Sequence, residues 1–165
     1  MPQTYEAIQT QTISGSPSLI NINSIPSTYT DLVLVCWGWG TTGGGSLTVR
    51  GNGNGNVLYN TTYLYSDGSS NTPGQTGDTA TGTFMGRVQL NSTDMGGCYI
   101  HIPGYANTTT FKTMVGTNFA SAPIAWLSCG TWRSTAAISS LTIGIESSST
   151  FATGFTMTLY GIKAA

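Results

Sequence analysis

The chain has 165 residues, of which 39% are hydrophobic and 10% aromatic, enough for one domain with its own core. Only 7% of the residues are charged, whereas a typical soluble domain has about 25%, and the formal net charge is −1. Five Lys and Arg residues cannot neutralise a run of phosphates, which argues against nucleic acid as a partner. No stretch reaches the roughly 18 apolar residues of a membrane helix, and the N-terminus lacks a signal-peptide pattern, so we expect folding in a cytoplasm and no membrane partner.

The scarcity of charge has a consequence for solubility. Ser, Thr, Asn and Gly replace the missing charged residues, and a surface of this kind offers little electrostatic self-repulsion. Such a surface suits a subunit that is buried in an assembly. A neutral, hydroxyl-rich secreted domain is the alternative that the composition leaves open.

The first half of the chain contains an extended segment and four predicted strands. Residues 2–17 begin and end at prolines and are predicted to form an extended N-terminal arm. Apolar or alternating runs bounded by Gly, Ser, Asn and Thr predict strands at 19–23, 31–39, 46–50 and 57–65. The Gly-Asn run at 51–56 precedes strand-like residues instead of a helix, so it predicts a hairpin loop with positive φ angles and not a phosphate site. Residues 66–83, rich in Gly, Ser and Thr, predict a long surface loop.

The second half continues the period-2 pattern. Strands are predicted at 83–90, 98–102, 111–119, 124–132, 138–146 and 155–162. In the last of these, Phe155, Met157 and Leu159 are predicted to face inward. Roughly nine or ten alternating strands without a helical period predict an all-β fold, a two-sheet antiparallel sandwich of jelly-roll type. The predicted division is an arm at 1–17 and a single sandwich domain at 18–165.

His101 is the only histidine of the chain and lies within the predicted strand 98–102. A catalytic histidine needs a nucleophile within reach, but Cys98 is three positions away on the same strand, so the two side chains point to opposite faces. We therefore predict an ordinary sheet histidine. Cys36, Cys98 and Cys129 are predicted to be buried thiols because each lies in an apolar strand-like segment, and one internal disulfide is the alternative.

The six carboxylates are scattered, and the spacing of the sequence shows neither a pair of catalytic acids nor a set of metal ligands. Asp67 and Asp78 flank the predicted long loop, where a shared calcium ion is an alternative. Acids that meet only in the folded chain, as in glycoside hydrolysis, are another. We predict no catalytic residue, no metal and no cofactor, and we do not expect the chain to be an enzyme.

The tryptophans are candidates for either the core or a binding surface. Trp37 and Trp39 are two residues apart on one predicted strand and are expected to face the same side, and Trp126 and Trp132 lie in a later strand. Core packing is the favoured interpretation for Trp37 and Trp126. The alternative is an exposed ring that stacks on a sugar or anchors a protein interface.

Five segments, in order along nearly the whole chain, resemble small virion structural proteins of tailed bacteriophages, notably those of aquatic and cyanobacterial hosts. The segments are MPQTYEAIQTQTI at 1–13, SIPSTYTDLVLV at 24–35, NTTTFKTMVG at 107–116, TWRSTAAISSLTI at 131–143 and FTMTLYGIKAA at 155–165. The resemblance implies a jelly-roll subunit on the outside of a particle, where it acts as a capsid decoration, or cement, protein.

The resemblance also implies partners and a place. The partners would be the major capsid protein and copies of the chain itself, as a homotrimer on the capsid exterior, assembled in the cytoplasm of the host bacterium. We expect contacts through the N-terminal arm, which would cross onto a neighbouring subunit, and through Tyr5, Ile8, Tyr29 and Trp39. The alternative is a tail-fibre or head-fibre tip module that binds host-surface glycans.

Overall fold

A computed structural model of the chain describes residues 4–41, 45–56, 58–80, 82–88, 95–120, 123–146 and 149–163, without the side chains of 78–80, 87 and 88. Within these residues the chain forms twelve strands and no helix. The strands are β1 Tyr5–Thr12, β2 Leu19–Ile22, β3 Asp31–Gly38, β4 Gly45–Gly51, β5 Tyr59–Ser66, β6 Asn71–Ala80, β7 Thr83–Val88, β8 Gly96–Pro103, β9 Lys112–Ala120, β10 Ala125–Trp132, β11 Leu141–Ile145 and β12 Thr156–Ile162.

The strands form two antiparallel sheets that pack face to face. The larger sheet has eight strands in the order β1-β12-β3-β8-β9-β10-β5-β6, and the smaller has four in the order β2-β11-β4-β7. The chain changes sheet at every connection except within the hairpin β5–β6 and the meander β8–β9–β10, as in a jelly roll. The predicted all-β, two-sheet antiparallel sandwich of jelly-roll type is therefore confirmed.

Side chains from the two sheets meet in a hydrophobic core. β12 shows the underlying alternation, because Met157 and Leu159 are buried, together with Phe155 before the strand, as predicted. The intervening Thr156 and Thr158 are partly exposed. The bulkiest fully buried side chains include five aromatic rings and one lysine: Trp132, Tyr59, Tyr105, Lys112, Phe151 and Phe155.

The N-terminal segment is extended, as predicted, but most of it belongs to the larger sheet. β1 pairs with β12 along its length, with a bulge between Ala7 and Gln9. Past the strand, Ile13 is buried, and its amide donates to the Phe155 carbonyl oxygen at 2.8 Å. The segment is thus an edge strand of its own chain instead of a detached arm, and contact with a neighbouring subunit through it stays a prediction.

The Gly-Asn run links the two sheets. β4 ends at Gly51 in the smaller sheet and β5 lies in the larger one, so the predicted hairpin is wrong. The predicted positive φ angles are confirmed at Asn52 and Gly53, with values of 54° and 62°. Asn52 Nδ2 donates to the Ala137 carbonyl oxygen at 2.8 Å, and its Oδ1 accepts from the Ser139 amide at 2.8 Å. A connection between two sheets and a hairpin within one sheet can use the same positive φ angles. The local sequence therefore does not distinguish between them.

Most of the predicted long loop is strand β6, which pairs with β5. Asp67 closes the turn between them, because its Oδ1 accepts from the amides of Ser69 and Ser70 at 2.9 and 2.8 Å. These hydrogen bonds hold the pKa of the Asp67 carboxyl below its ordinary value. β6 is an edge strand whose described side chains are exposed or half-exposed, so it has no buried face to reveal it as a hydrophobic alternation.

Two of the three cysteines are buried and the third is not. Cys36 on β3 and Cys98 on β8 are direct cross-strand partners, and both are buried free thiols. Cys129 on β10 is an exposed free thiol, so the prediction of burial is wrong for it. The flanking Ser128 and Gly130 take the inward positions of β10, which leaves Cys129 on the outer face.

The buried thiols predict a loss of stability at alkaline pH. Burial raises the pKa of Cys36, and it raises the pKa of Cys98 from its ordinary value of 9.0 to about 12. As the pH rises, thiols of the unfolded chain lose their protons first, so stability is intact below pH 9.0 and falls above it. We expect each thiol to lower the free energy of unfolding by about 1.4 kcal/mol per pH unit above that value. Urea unfolding from about pH 7 to about pH 10.5 measures the slope.

Two variants isolate the contribution of Cys98. Cys98→Ala is expected to reduce the alkaline slope by about 1.4 kcal/mol per pH unit, and Cys129→Ala, which removes the exposed thiol, is expected to keep it. Burial also raises the pKa of Tyr59 to about 12 and lowers the pKa of Lys112, so both residues contribute to the change of stability with pH. Both are present in the wild type and in the two variants, so their contributions cancel when the slopes are compared. Equal slopes in the wild type and Cys98→Ala would contradict the prediction.

Candidate interaction surface

The larger sheet exposes apolar side chains on the face that points away from the smaller sheet. They lie on five neighbouring strands, β3, β8, β9, β10 and β5. We call this set the apolar face; its members are Trp37, Leu64, Tyr99, Val115, Phe119, Leu127 and Cys129. Leu127 is 57% exposed and Phe119 is 47% exposed. Scattered exposed apolar residues are ordinary on a monomer, but a contiguous apolar patch marks an interaction surface.

The strand register places these side chains in rows across the sheet. Direct cross-strand partners of adjacent antiparallel strands project from the same face, so each row is read from the pairing. The rows are Leu64, Leu127, Thr117 and Tyr99; Thr62, Cys129, Val115 and His101; and Phe119, Gly97 and Trp37. The apolar side chains therefore lie in neighbouring rows, with Thr62, Thr117 and His101 among them.

The arrangement follows from small residues at the inward positions of β9 and β10. A Cβ atom on Gly116 would lie 2.5 Å from the Met85 carbonyl oxygen, and one on Gly130 would lie 2.7 Å from Cγ2 of Thr83. β7 of the smaller sheet can thus approach these strands closely only because both positions lack a side chain. Around these glycines the small residues point inward, and Val115, Leu127 and Cys129 point outward. Elsewhere on the same strands the larger Met114, Trp126 and Trp132 are buried.

Trp37 and Phe119 form a stacked pair at one end of the apolar face. Their ring centroids are 5.7 Å apart and their planes are inclined by 23°. They stand on either side of Gly97, where a Cβ would come within 2.6 Å of the Phe119 ring and 2.5 Å of the Cys36 carbonyl oxygen. Trp37 is 42% exposed, so its prediction as a core residue is wrong, whereas the same prediction is confirmed for Trp126, which is buried.

A shallow depression of about 440 Å³ lies at the other end of the apolar face. Its lining is almost entirely apolar, and Leu64 and Leu127 are at its centre as direct cross-strand partners. The lining residues are Thr62, Tyr63, Leu64, Pro73, Val115, Leu127, Ser128 and Cys129. The apolar face thus carries an exposed aromatic pair at one end and a depression at the other.

One ionisable pair lies at the margin of the apolar face. His101 Nε2 is 3.0 Å from Asp31 Oδ2, and Asp31 Oδ1 accepts from the Gly104 amide at 2.9 Å. Asp31 begins β3 and His101 is near the end of β8, so the antiparallel pairing of these strands brings them together. The pair was not predicted from the sequence because the partners are 70 residues apart. As predicted, Cys98 points to the opposite face from His101.

The four residues predicted as interface contacts lie in different places. Tyr5 is 49% exposed on the outer face of the larger sheet, edge-on to Tyr160, and its hydrogen bond with Tyr99 raises the pKa of Tyr99. The other three are half-buried: Ile8 packs against the core, Tyr29 covers Gly161, and Trp39 follows β3 near Gly154. Only Tyr5 adjoins the apolar face, and whether any of the four contacts a partner stays a prediction.

The described part of the chain contains no group of three or more His, Cys, Asp and Glu residues placed to hold a metal ion. The carboxylate of Asp67 is engaged with its own turn, and the side chain of Asp78 lies outside the described residues. The calcium alternative therefore stays a prediction. The part of the chain that the structure describes contains no helix long and apolar enough to cross a membrane.

Comparison with known proteins assigns no family to the chain. No protein-family model matches the chain, and no curated protein matches it. Among solved structures, alginate lyase Aly36B is similar at 10% identity over 82% of this chain and 70% of that chain, with a TM-score of 0.29 for a double mutant in complex with alginate tetrasaccharide and 0.28 for the enzyme alone. The marine PL-14 alginate lyase from Aplysia kurodai is similar at 6% identity over 78% and 72%, with a TM-score of 0.19. Similarities this weak assign neither a family nor an activity.

Proposed function

We propose that the chain is a virion structural protein, specifically a capsid decoration or cement protein that stabilises a phage head through subunit–subunit contacts. The observation that carries the proposal is the apolar face on a chain with only 7% charged residues. The resemblance of five segments to small virion proteins supports the proposal that the particle is a phage. A homotrimer on the capsid exterior, in contact with the major capsid protein, is part of the proposal.

The composition of the apolar face supports contact with protein. Cores of protein–protein interfaces are depleted in charge and enriched in aromatic residues, and most binding energy comes from a few large anchors. Trp37, Phe119 and Tyr99 are such anchors on a face whose described charges are limited to the pair Asp31 and His101. Many modest contacts of this kind, repeated over a shell, add up by avidity.

Locating the protein on purified particles tests the proposal. We expect quantitative mass spectrometry to find copy numbers comparable to that of the major capsid protein, and cryo-electron microscopy to place the sandwich on the head exterior. Particles that lack the protein are expected to release DNA at a lower temperature than complete particles, since the shell loses its clamps. Absence of the protein from the particle would contradict the proposal.

A tail-fibre or head-fibre tip module that binds host-surface glycans is the second candidate. The observation that favours it is the exposed Trp37 ring, because aromatic rings stack on sugars. One face of that ring already lies against Phe119, which leaves a smaller platform for a sugar. Saturable binding of the purified chain to host cells or lipopolysaccharide, weakened by Trp37→Ala, together with a copy number matching the fibres, would favour this candidate over cement.

A further inference from the structure

We propose that a second copy of this chain covers the apolar face, so that the larger sheets of two chains pack against each other. The inference goes beyond the proposed function, since it names a two-fold contact between two copies that is separate from the contacts that would join three copies in the proposed homotrimer. The geometry that points to it is the exposed Trp37–Phe119 pair and the apolar depression lined by Leu64 and Leu127 on one face.

Charge selects the class of partner. A surface that lacks charge gains nothing from a charged partner, because the partner would lose the hydration of its charges without receiving a counter-charge. The described outer positions of the apolar face offer Asp31 and His101, which already pair with each other. An uncharged partner surface is therefore required, and the apolar face of another copy meets that requirement.

The exposed aromatic pair and the depression allow two copies to meet about a two-fold axis. An axis between the pair and the depression would place Trp37 and Phe119 of each copy over the depression of the other. Such an isologous contact uses the same patch twice and closes on itself. In this contact the aromatic rings of each copy would cover the apolar lining of the other copy's depression, which has a volume of about 440 Å³.

The outer face of the whole larger sheet, with the apolar face within it, is large enough for a stable contact. Strands are about 4.8 Å apart and rise about 3.4 Å per residue, so eight strands of about seven residues present a face on the order of 800 Å². A standard protein–protein interface buries about 800 Å² on each partner. The apolar face would be its dry centre, and the Thr and Ser side chains around it would form the polar rim.

The two edges of the larger sheet are less suited to joining copies. β1 carries a bulge between Ala7 and Gln9, and β6 contains Pro73, which has no amide to donate. The β5–β6 pairing also has an irregularity between Tyr59 and Thr61. Bulges and prolines on edge strands hinder the addition of another strand. Assembly through the face therefore has fewer obstacles than assembly through an edge.

Cys129 provides a direct test, because it is the exposed thiol on the apolar face while Cys36 and Cys98 are buried. The purified full chain is treated briefly with N-ethylmaleimide at about 1 µM and about 100 µM chain, a range chosen because interfaces of this size bind at micromolar affinity or tighter. Mass spectrometry locates the label, and sedimentation gives the mass. At the higher concentration we expect sedimentation to show assembled chains. Only unassembled chains expose Cys129 to the reagent, so its labelling rate follows the unassembled fraction. When about nine in ten chains are assembled, we therefore expect labelling of Cys129 to be about tenfold slower.

Two matched leucine substitutions complete the test. Leu127→Lys puts a charge into the depression, and we expect monomers whose Cys129 reacts at the same rate at every concentration. Leu19→Lys makes the same change at a 46% exposed leucine of the smaller sheet and is expected to assemble like the wild type. Circular dichroism confirms that both variants fold. If Leu127→Lys proved unfolded, Leu127→Ser, which removes the apolar contact without adding charge, would be expected to weaken assembly and deprotect Cys129.

The outcomes separate this inference from the proposed function. A wild-type chain that is monomeric at all concentrations, or that assembles with Cys129 freely reactive, overturns the inference while the protein's place on the virion stays open. A folded Leu127→Lys variant that assembles like the wild type also overturns it. A chain that assembles as expected but is absent from particles refutes the proposed function and leaves the inference standing.

Discussion

Replacing Trp132 with alanine is expected to lower the free energy of unfolding by about 3–5 kcal/mol. Trp132 is only 1% exposed and stacks on Tyr59 with ring centroids 6.0 Å apart and planes 10° from parallel. Its ring also lies against Gly51, where a Cβ would be 2.5 Å away. The substitution removes a large buried ring between β4, β5 and β10 and leaves a cavity that rigid strands cannot close. Urea unfolding at a concentration where the chain is monomeric measures the change.

Trp37→Ala is the matched control for that experiment. The same side chain is lost, but Trp37 is exposed and its main contact is the stack with Phe119, so we expect a loss of about 1 kcal/mol or less. The same variant is expected to weaken assembly through the apolar face. Equal losses of stability in Trp132→Ala and Trp37→Ala would contradict the assignment of one ring to the core and the other to the surface.

Deleting residues 1–17 is expected to lower the free energy of unfolding by at least about 4 kcal/mol. The deletion removes β1, exposes the edge of β12 and takes away the buried Ile13 together with the half-buried Ile8. A detached arm would not have this effect, because its loss leaves the core untouched. Urea unfolding and the solubility of the truncated chain are the measurements.

Deleting residues 1–3 alone is the control, since these residues precede β1, and it is expected to change the free energy of unfolding by about 0.5 kcal/mol or less. Tyr5→Ala, which keeps β1 but removes an exposed ring, separates a role in contacts from a role in folding. If the chain without residues 1–17 were as stable as the wild type, the segment would be an independent arm after all.

The strands were largely predictable because each carries its own signal. In β12, alternation of apolar and polar residues placed Phe155, Met157 and Leu159 inward, and the structure agrees. β6 had no such signal, since an edge strand with both faces in water does not alternate. β1 was recognised as extended, but its pairing with β12 joins opposite ends of the chain, and no local pattern encodes that contact.

The candidate surface was less predictable than the fold. Tyr5 was among the expected contacts and adjoins the apolar face, but Phe119, Leu127 and Leu64 were not expected there. In the sequence, their apolar character predicts burial in the core. The pairing of His101 with Asp31 was also missed, because it depends on the register between β3 and β8.

Alternation, turn residues and composition are local properties of the chain, and they were sufficient to predict an all-β sandwich with few charges. Which face of the larger sheet points outward depends on contacts between strands that are distant in the sequence. Glycines at 116 and 130 let β7 come close enough to fill the inward side with backbone and small groups. β7 leaves no room for a side chain at these two inward positions, and the neighbouring Val115 and Cys129 point to the surface where we expect another copy to bind.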